Sequence, residues 1–418
     1  MAVGSTKRDN CRLCGNKNVE LVVAMTPTPI ADAYVTRDHV AERQSVYPLD
    51  LYLCHGCGHV QLLDVVNPHL MFKSEYTYQS GSSGGIVRHF QEYVDAVLAR
   101  ENPPKGALVV DIGSNDGTFL SFFQKAGMTV LGIDPATELA RASTARGIET
   151  LPHFLNPELA DTVRKERGAA RILTANNVFA HADDLGGMAD SIQRLLAPDG
   201  AFVFEVSYVV DVVDQMLLGT IFHEHLCYHA VKPLKAFLAR HGMELVDVEH
   251  VTVQGGSLIV TAQPTGGHRK ASARVEEMIR EEETRGFDKP EIYRNFNRRI
   301  DRLKSDLEAV FKGNGPIAGY GAARGGTTLI YRLNLDGRLA FIVDDSPAKQ
   351  DMFSPGDHVP ILSSDALYDQ RPSHVFILAW VHWKAIVQAH RRYMEQGGRF
   401  VIAHPRVEVM SAGGNAYA

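Results

Sequence analysis

The tightest constraint on the fold lies between Ala107 and Leu120, where ALVVDIGSNDGTFL joins an apolar run to a glycine-bearing turn. Leu108, Val109, Val110 and Ile112 predict a strand covered on both faces, as in a parallel sheet. Gly113 and Gly117 then let the backbone come close to a ligand without interference from a Cβ, and the turn opens a helix. A second predicted strand, Thr129 to Ile133, ends in Asp134. An acid there can accept hydrogen bonds from both hydroxyls of a ribose, so the two strand ends predict an adenosine-binding crevice in an open α/β sheet.

The turn does not read G-x-G-x-x-G, the pattern that suits a pyrophosphate bridge, but D-x-G-S-N-D-G. It resembles motif I of class I S-adenosylmethionine methyltransferases. That resemblance implies the cofactor S-adenosylmethionine, with Asp111, Gly113 and Ser114 near its amino-acid part and Asp134 at its ribose.

Upstream, Cys11-x-x-Cys14-Gly and Cys54-x-x-Cys57-Gly form two matched knuckles. Four thiolates at this spacing close a tetrahedron about Zn²⁺ and leave no position for water, so the expected metal is structural. A redox dithiol is the competing reading of a single C-x-x-C, and the matched pair favours zinc. Strands are expected near Leu21 to Ala24 and Tyr47 to Cys54. Between Pro68 and Gly85 a Ser-, Gly- and Tyr-rich stretch predicts a loop over the neighbouring site, with Tyr76 and Tyr78 able to reach a ligand or to pack at a domain junction.

The chain of 418 residues is too long for one core, and a net charge of −6 argues against a general affinity for nucleic acid. No apolar run is long enough to span a bilayer. The beginning, MAVGSTKRDN, lacks a signal-peptide core, and five cysteines, an odd number, suit a reducing compartment. A cytoplasmic location is the expectation.

After Asp134 the pattern alternates helix and strand. Strands are expected at Ile148 to Leu151, Arg171 to Thr174 and Ala201 to Val206, and a hairpin over Val251 to Gln263. Phe154 falls where an adenine ring can stack. Asn177 and His181 follow the fourth strand, where polar groups enter the ligand crevice of such a sheet. Then comes Phe222-His223-Glu224-His225, with His229 beyond it. A metal site and acid-base machinery both fit H-E-H. The second is favoured, because histidine changes charge near neutral pH and H-E-x-x-H is absent.

Taken together, the knuckles, DIGSNDG, NNVFAH and HEH resemble the sugar C-methyltransferases of antibiotic deoxysugar biosynthesis, over the whole chain. The resemblance implies a dTDP-linked 3-amino-4-keto deoxysugar methylated at C-3 through an enolate. It implies His225 as base, Glu224 as its orienting partner or a substrate ligand, and Tyr76 and His181 as hydrogen-bond donors to the enolate oxygen or the sugar amine. The family reads Tyr-His-Glu-His where this chain has Phe222, so one hydroxyl is missing from the expected site. Deliberate substitution and natural variation both fit that difference. Tyr78 and His223 are implied substrate contacts.

The last third is charged with helical apolar spacing from Lys270 to Lys312, which predicts one long helix or two. From Pro316 a strand, a glycine turn around Gly321, and a strand ending at Asp344-Asp345 resemble a Rossmann half. By resemblance this part helps hold the nucleotide sugar, with Arg324 and Lys349 offsetting the diphosphate. The expected organisation is an α/β protein of three parts: a zinc-binding module over 1–75, a class I methyltransferase Rossmann-like sheet over 76–285, and a second Rossmann-like domain over 286–418. A nucleotide-sugar oxidoreductase or epimerase, and a zinc-dependent S-adenosylmethionine-binding adaptor, are the alternatives. Oligomeric state is not legible.

Overall fold

All five residues of the strand Leu108–Ile112 are buried because it lies inside a seven-stranded sheet covered on both sides. Across that sheet the strands run Met243–Val251, Ser257–Pro264, Leu196–Ser207, Ala170–Asn176, Leu108–Ile112, Thr129–Ile133 and Thr150–Leu151. The last five named are parallel, and Ser257–Pro264 runs against both its neighbours. From Leu108–Ile112 the chain runs outward through Thr129–Ile133 to Thr150–Leu151 and then crosses back to Ala170–Asn176 on the other side of Leu108–Ile112. The carboxyl ends of these strands therefore border the ligand crevice. The structure is a computed structural model that describes residues 4–71, 79–82 and 84–417. Tyr76 and Tyr78 lie outside the described residues.

The helix Gly84–Glu101 buries Phe90, Tyr93, Val94 and Val97, a stripe at three- and four-residue spacing that seals one face of the sheet. The hairpin expected over Val251 to Gln263 starts earlier: its strands are Met243–Val251 and Ser257–Pro264, with Val251 opposite Ser257 and a short helical turn at Val253–Gly255 between them. The charged segment forms two helices, Ala273–Arg285 and Pro290–Phe311. Gly286, at φ 78°, ends the first in the left-handed conformation, and Pro290 opens the second. The second buries Tyr293, Phe296, Ile300, Leu303, Leu307 and Phe311, and it packs on the strand Val19–Val23.

The C-terminal sheet also has seven strands. Ile361–Leu362, Leu339–Val343, Ile317–Tyr320, His374–Ile377 and Arg399–Ala403 are parallel, and Val407–Ser411 and Gly414–Tyr417 extend it antiparallel. In the N-terminal module Val19–Val23, Leu51–Cys54 and Val60–Leu62 form an antiparallel sheet. Its fourth strand is Cys227–Tyr228, contributed from just beyond the HEH stretch and paired to Val60–Leu62. Among the described residues no helix is long and apolar enough to cross a membrane.

Candidate active site and metal centre

The four knuckle cysteines converge, with all their Sγ atoms within 4.8 Å of one another. Cys11 and Cys57 are 3.7 Å apart and Cys14 and Cys54 3.5 Å. A zinc tetrahedron with Zn–S of about 2.3 Å has S···S edges of about 3.8 Å, so the thiols present fit that ion. With four sulfurs supplied, no site remains for water, and the metal is structural.

The glycine turn is forced by its surroundings. Gly113 has φ 68°, and a Cβ there would lie 2.3 Å from Val178 Cγ2. At Gly117, φ 75°, a Cβ would lie 2.4 Å from Ser143 Oγ. Asp134 is buried and accepts the backbone N–H of Asn115 and of Ala136, each at 2.8 Å. The acid expected at the ribose thus also holds the motif I turn against the second strand. Asp111 accepts Thr174 Oγ1 at 2.6 Å, and burial, opposed by that bond and aided by Asp134, pushes its carboxyl up to about 7. Ser114 Oγ is buried with no hydrogen-bond partner among the described residues. Asn177, in the left-handed region at φ 56°, donates its N–H to the Glu205 carbonyl at 2.8 Å. Phe154 is 46% exposed, its ring edge-on to His69. The described end of the Ser/Gly loop clips onto the same turn: Ser80 N–H donates to Asn115 Oδ1 at 3.0 Å and Gly81 N–H to Asp116 Oδ2 at 2.9 Å.

The HEH stretch is a tight turn, with His225 N–H donating to the Phe222 carbonyl at 2.9 Å. Its two histidines therefore diverge instead of sharing a face. His223 turns to the N-terminal module, its Nε2 3.2 Å from the Tyr47 carbonyl, and burial pushes its pKa down to about 4. In the structure His223 is a buried anchor on the N-terminal module. His225 stacks on His181, ring centres 5.2 Å apart, and lies tilted against Phe222, ring centres 3.9 Å apart. Its Nδ1 is 2.7 Å from the Thr220 carbonyl. A carbonyl can only accept, so Nδ1 carries the proton and Nε2 of the neutral ring keeps its lone pair. Burial pushes the pKa to about 4, so the ring is neutral at pH 7.

The orienting partner of His225 is therefore a backbone carbonyl. Glu224 instead pairs with Arg324 Nη1 at 2.6 Å, and Arg324 Nη2 reaches Asp32 at 2.6 Å. One residue from each of the three parts of the chain meets here. Around them Thr328 Oγ1 donates to the Ile221 carbonyl at 2.6 Å, Thr327 Oγ1 to Ala31 at 3.1 Å and Tyr34 O–H to Ala322 at 2.6 Å. Lys349 Nζ donates to the Ala322 carbonyl and lies over the Tyr34 ring. Arg324 and Lys349 thus hold the domains together in this structure. The turn after Gly321 packs against the methyltransferase domain so closely that a Cβ on Gly325 would sit 2.2 Å from the Gly219 carbonyl oxygen.

Sequence reasoning missed Asp32 and Thr220, which nothing local marks. It also missed Glu205, whose signal was legible as the one charge inside the apolar strand AFVFEV.

An adenosine crevice at a motif I turn, in a sheet ending in an antiparallel pair, defines an S-adenosylmethionine-dependent methyltransferase carrying a structural zinc module. Models of known families match in the same order: a zinc binding domain over residues 11–72, a methyltransferase domain over 86–248 and a C-methyltransferase C-terminal domain over 252–405. The C-methyltransferase NovU of Streptomyces niveus is 33% identical over 409 residues, 97% of each chain. The chain belongs to this family of C-methyltransferases. More remote likenesses include magnesium protoporphyrin IX methyltransferase from Synechocystis PCC 6803 with bound SAH, at 18% identity, TM-score 0.34, 43% of this chain and 85% of that one. Another is an S-adenosylmethionine-dependent methyltransferase from Clostridium acetobutylicum, at 10% identity, TM-score 0.36, 43% of this chain and 92% of that one.

Proposed function

We propose that this C-methyltransferase acts on a dTDP-linked 3-amino-4-keto deoxysugar, adding a methyl group at C-3. The observation that carries the reading is the tautomer of His225: Nδ1–H is committed to the Thr220 carbonyl, leaving Nε2 as a neutral base. A 4-keto group acidifies the C-3 hydrogen. His225 Nε2 takes that proton, and the electron pair of the C–H bond delocalises onto the 4-oxygen. S-adenosylmethionine, when bound, supplies an electrophilic methyl on a sulfonium. To that methyl the carbanion carbon would bond as the carbon–sulfur bond breaks, leaving S-adenosylhomocysteine.

His181, stacked on His225, and Tyr76 are placed by this reading at the developing oxyanion or the sugar amine. Phe222 occupies the position of a third donor and offers only a ring. One such donor contributes about 3 kcal/mol, or roughly a hundredfold in rate. The test is mass spectrometry of candidate dTDP-4-keto sugars incubated with S-adenosylmethionine, comparing the chain with Phe222→Tyr and His225→Asn. Phe222→Tyr is expected to raise turnover, and His225→Asn to abolish solvent exchange of the C-3 hydrogen. Exchange persisting in His225→Asn would remove the base assignment.

A further inference from the structure

Alternate residues of a strand share a face, and one face of the methyltransferase sheet carries a polar shelf at its carboxyl edge. Val109, Ile172, Ala201 and Val203 form the apolar cluster on that face. By alternation Asp111, Thr174, Asn176 and Glu205 lie beyond them on the same side. In the ladder Asp111 is beside Thr174, and Asn176 is beside Glu205. The lower step is closed on itself by the Thr174–Asp111 hydrogen bond.

The upper step is open. Glu205 is 1% exposed, and His89 Nε2–H donates to its Oε2 at 2.6 Å. Its Oε1 is buried with no hydrogen-bond partner among the described residues, and neither amide atom of Asn176 has one. A buried carboxylate oxygen and a buried primary amide lose water on folding, and a ligand with matching donor and acceptor groups would restore what they lose. The missing partner must donate to Oε1, and a group that can accept from the amide completes Asn176.

We propose that Glu205 and Asn176 bind the amino-acid end of S-adenosylmethionine, Oε1 accepting from its α-ammonium and the Asn176 amide donating to its α-carboxylate. Asp134 and Glu205 end strands three ladder steps apart, roughly 14 Å at about 4.8 Å per step. Two carboxylate side chains and an extended cofactor bridge that span, ribose at one end and ammonium at the other. His89, held above the usual histidine value by Glu205 against the effect of burial, fixes the carboxylate by its other oxygen. The inference rests on the ribose lying at Asp134.

Calorimetry with two probes separates the parts: S-adenosylhomocysteine, and 5′-methylthioadenosine, which has the adenosine and the sulfur but no amino-acid end. Glu205→Gln and Asn176→Ala are each expected to weaken S-adenosylhomocysteine by about tenfold or more, the scale of a charge-assisted hydrogen bond, with 5′-methylthioadenosine unchanged. Equal losses for both probes, or no loss for either, overturn the proposal. Should Glu205→Gln fold poorly and bind neither probe, Asn176→Ala decides alone by the same criterion, since it removes no charge. Failure of the ribose reading looks different: Asp134→Ala would then leave 5′-methylthioadenosine binding intact.

Discussion

Arg324→Met tests whether three domains are held together by charge at the active site. In the structure Arg324 is 18% exposed, Glu224 4% and Asp32 21%, with both carboxylates 2.6 Å from the guanidinium. Removing one partner of a buried pair costs about 3–5 kcal/mol, against about 0–1 kcal/mol for a solvent-exposed pair. Burial already pushes the Glu224 carboxyl up to about 7, with Arg324 pulling it down and Asp32 adding to the rise. Without Arg324 that carboxyl takes a proton at neutral pH, which limits the loss to the lower end, about 3 kcal/mol. The chain supplies its own reporter. Of its two tryptophans, Trp380 lies at the seam, so near Gly219 and Gly255 that a Cβ on either would fall 2.7 Å from its ring. Urea titration followed by tryptophan fluorescence therefore reads the opening of that seam. The variant is expected to open at lower urea, and Asp32→Asn added to it to recover part of the loss by removing an orphaned charge. A cost under about 1 kcal/mol for Arg324→Met would show the cluster to be no stronger than a surface pair, and the clasp argument would fail.

Three further outcomes follow from the same geometry. Chelating zinc, or replacing Cys54 with Ser, is expected to raise amide exchange in Val60–Leu62 and in Cys227–Tyr228 together, because these strands pair; exchange confined to the knuckles would contradict the coupling. Gly113→Ala places a methyl 2.3 Å from Val178 Cγ2 at φ 68°, and is expected to lose roughly 1 kcal/mol or more of stability, with weaker S-adenosylhomocysteine binding by calorimetry. Burial pushes His223, His225, His229 and His404 down to about 4. Lowered histidine pKa values give stability that is present above about pH 6.5 and lost as pH falls toward 4, about 2 kcal/mol each between pH 7 and 5. Asp111 and Glu224, raised to about 7, act oppositely, gaining about 2 kcal/mol each over the same fall. Among these six groups the histidine losses outweigh the carboxylate gains; His59 and His181, pushed down by burial, add to the loss, and Asp134, Asp211 and Glu282, pushed up by burial, offset part of it. His404→Gln is expected to flatten the fall of the urea midpoint between pH 7 and pH 5, and an unchanged slope would refute a buried neutral His404.

What local pattern controls was legible in the sequence. The strand Leu108–Ile112 announces itself because both faces are covered, and the knuckles because tetrahedral coordination fixes cysteine spacing. The charged stretch from Lys270 to Lys312 was legible as one helix or two, and the structure decides for two, parted where Gly286 adopts a left-handed conformation and Pro290 opens the second helix. The two final strands went unread for the complementary reason. In Val407–Ser411 only Val407 and Met410 are buried, too few to show a period.

The site was legible in composition and illegible in partnership, and the difference is physical. Residue types and order suffice to propose acid-base work for a histidine-rich turn in a chain of this kind. Which group each histidine faces is set by contacts between parts of the chain far apart in sequence. His223 meets Tyr47 and Glu224 meets an arginine 100 residues on. The strand Cys227–Tyr228 explains how the turn tolerates this: its pairing to Val60–Leu62 fixes the exit of the turn on the zinc module, while Arg324 fixes its middle from the other side. Held at both places, the turn keeps His225 stacked on His181 with its Nδ1 proton committed to Thr220. On the proposed reading of His225 as the base, a metal with no chemistry of its own thereby helps to fix the geometry of that base, through the strand that the turn shares with the zinc module.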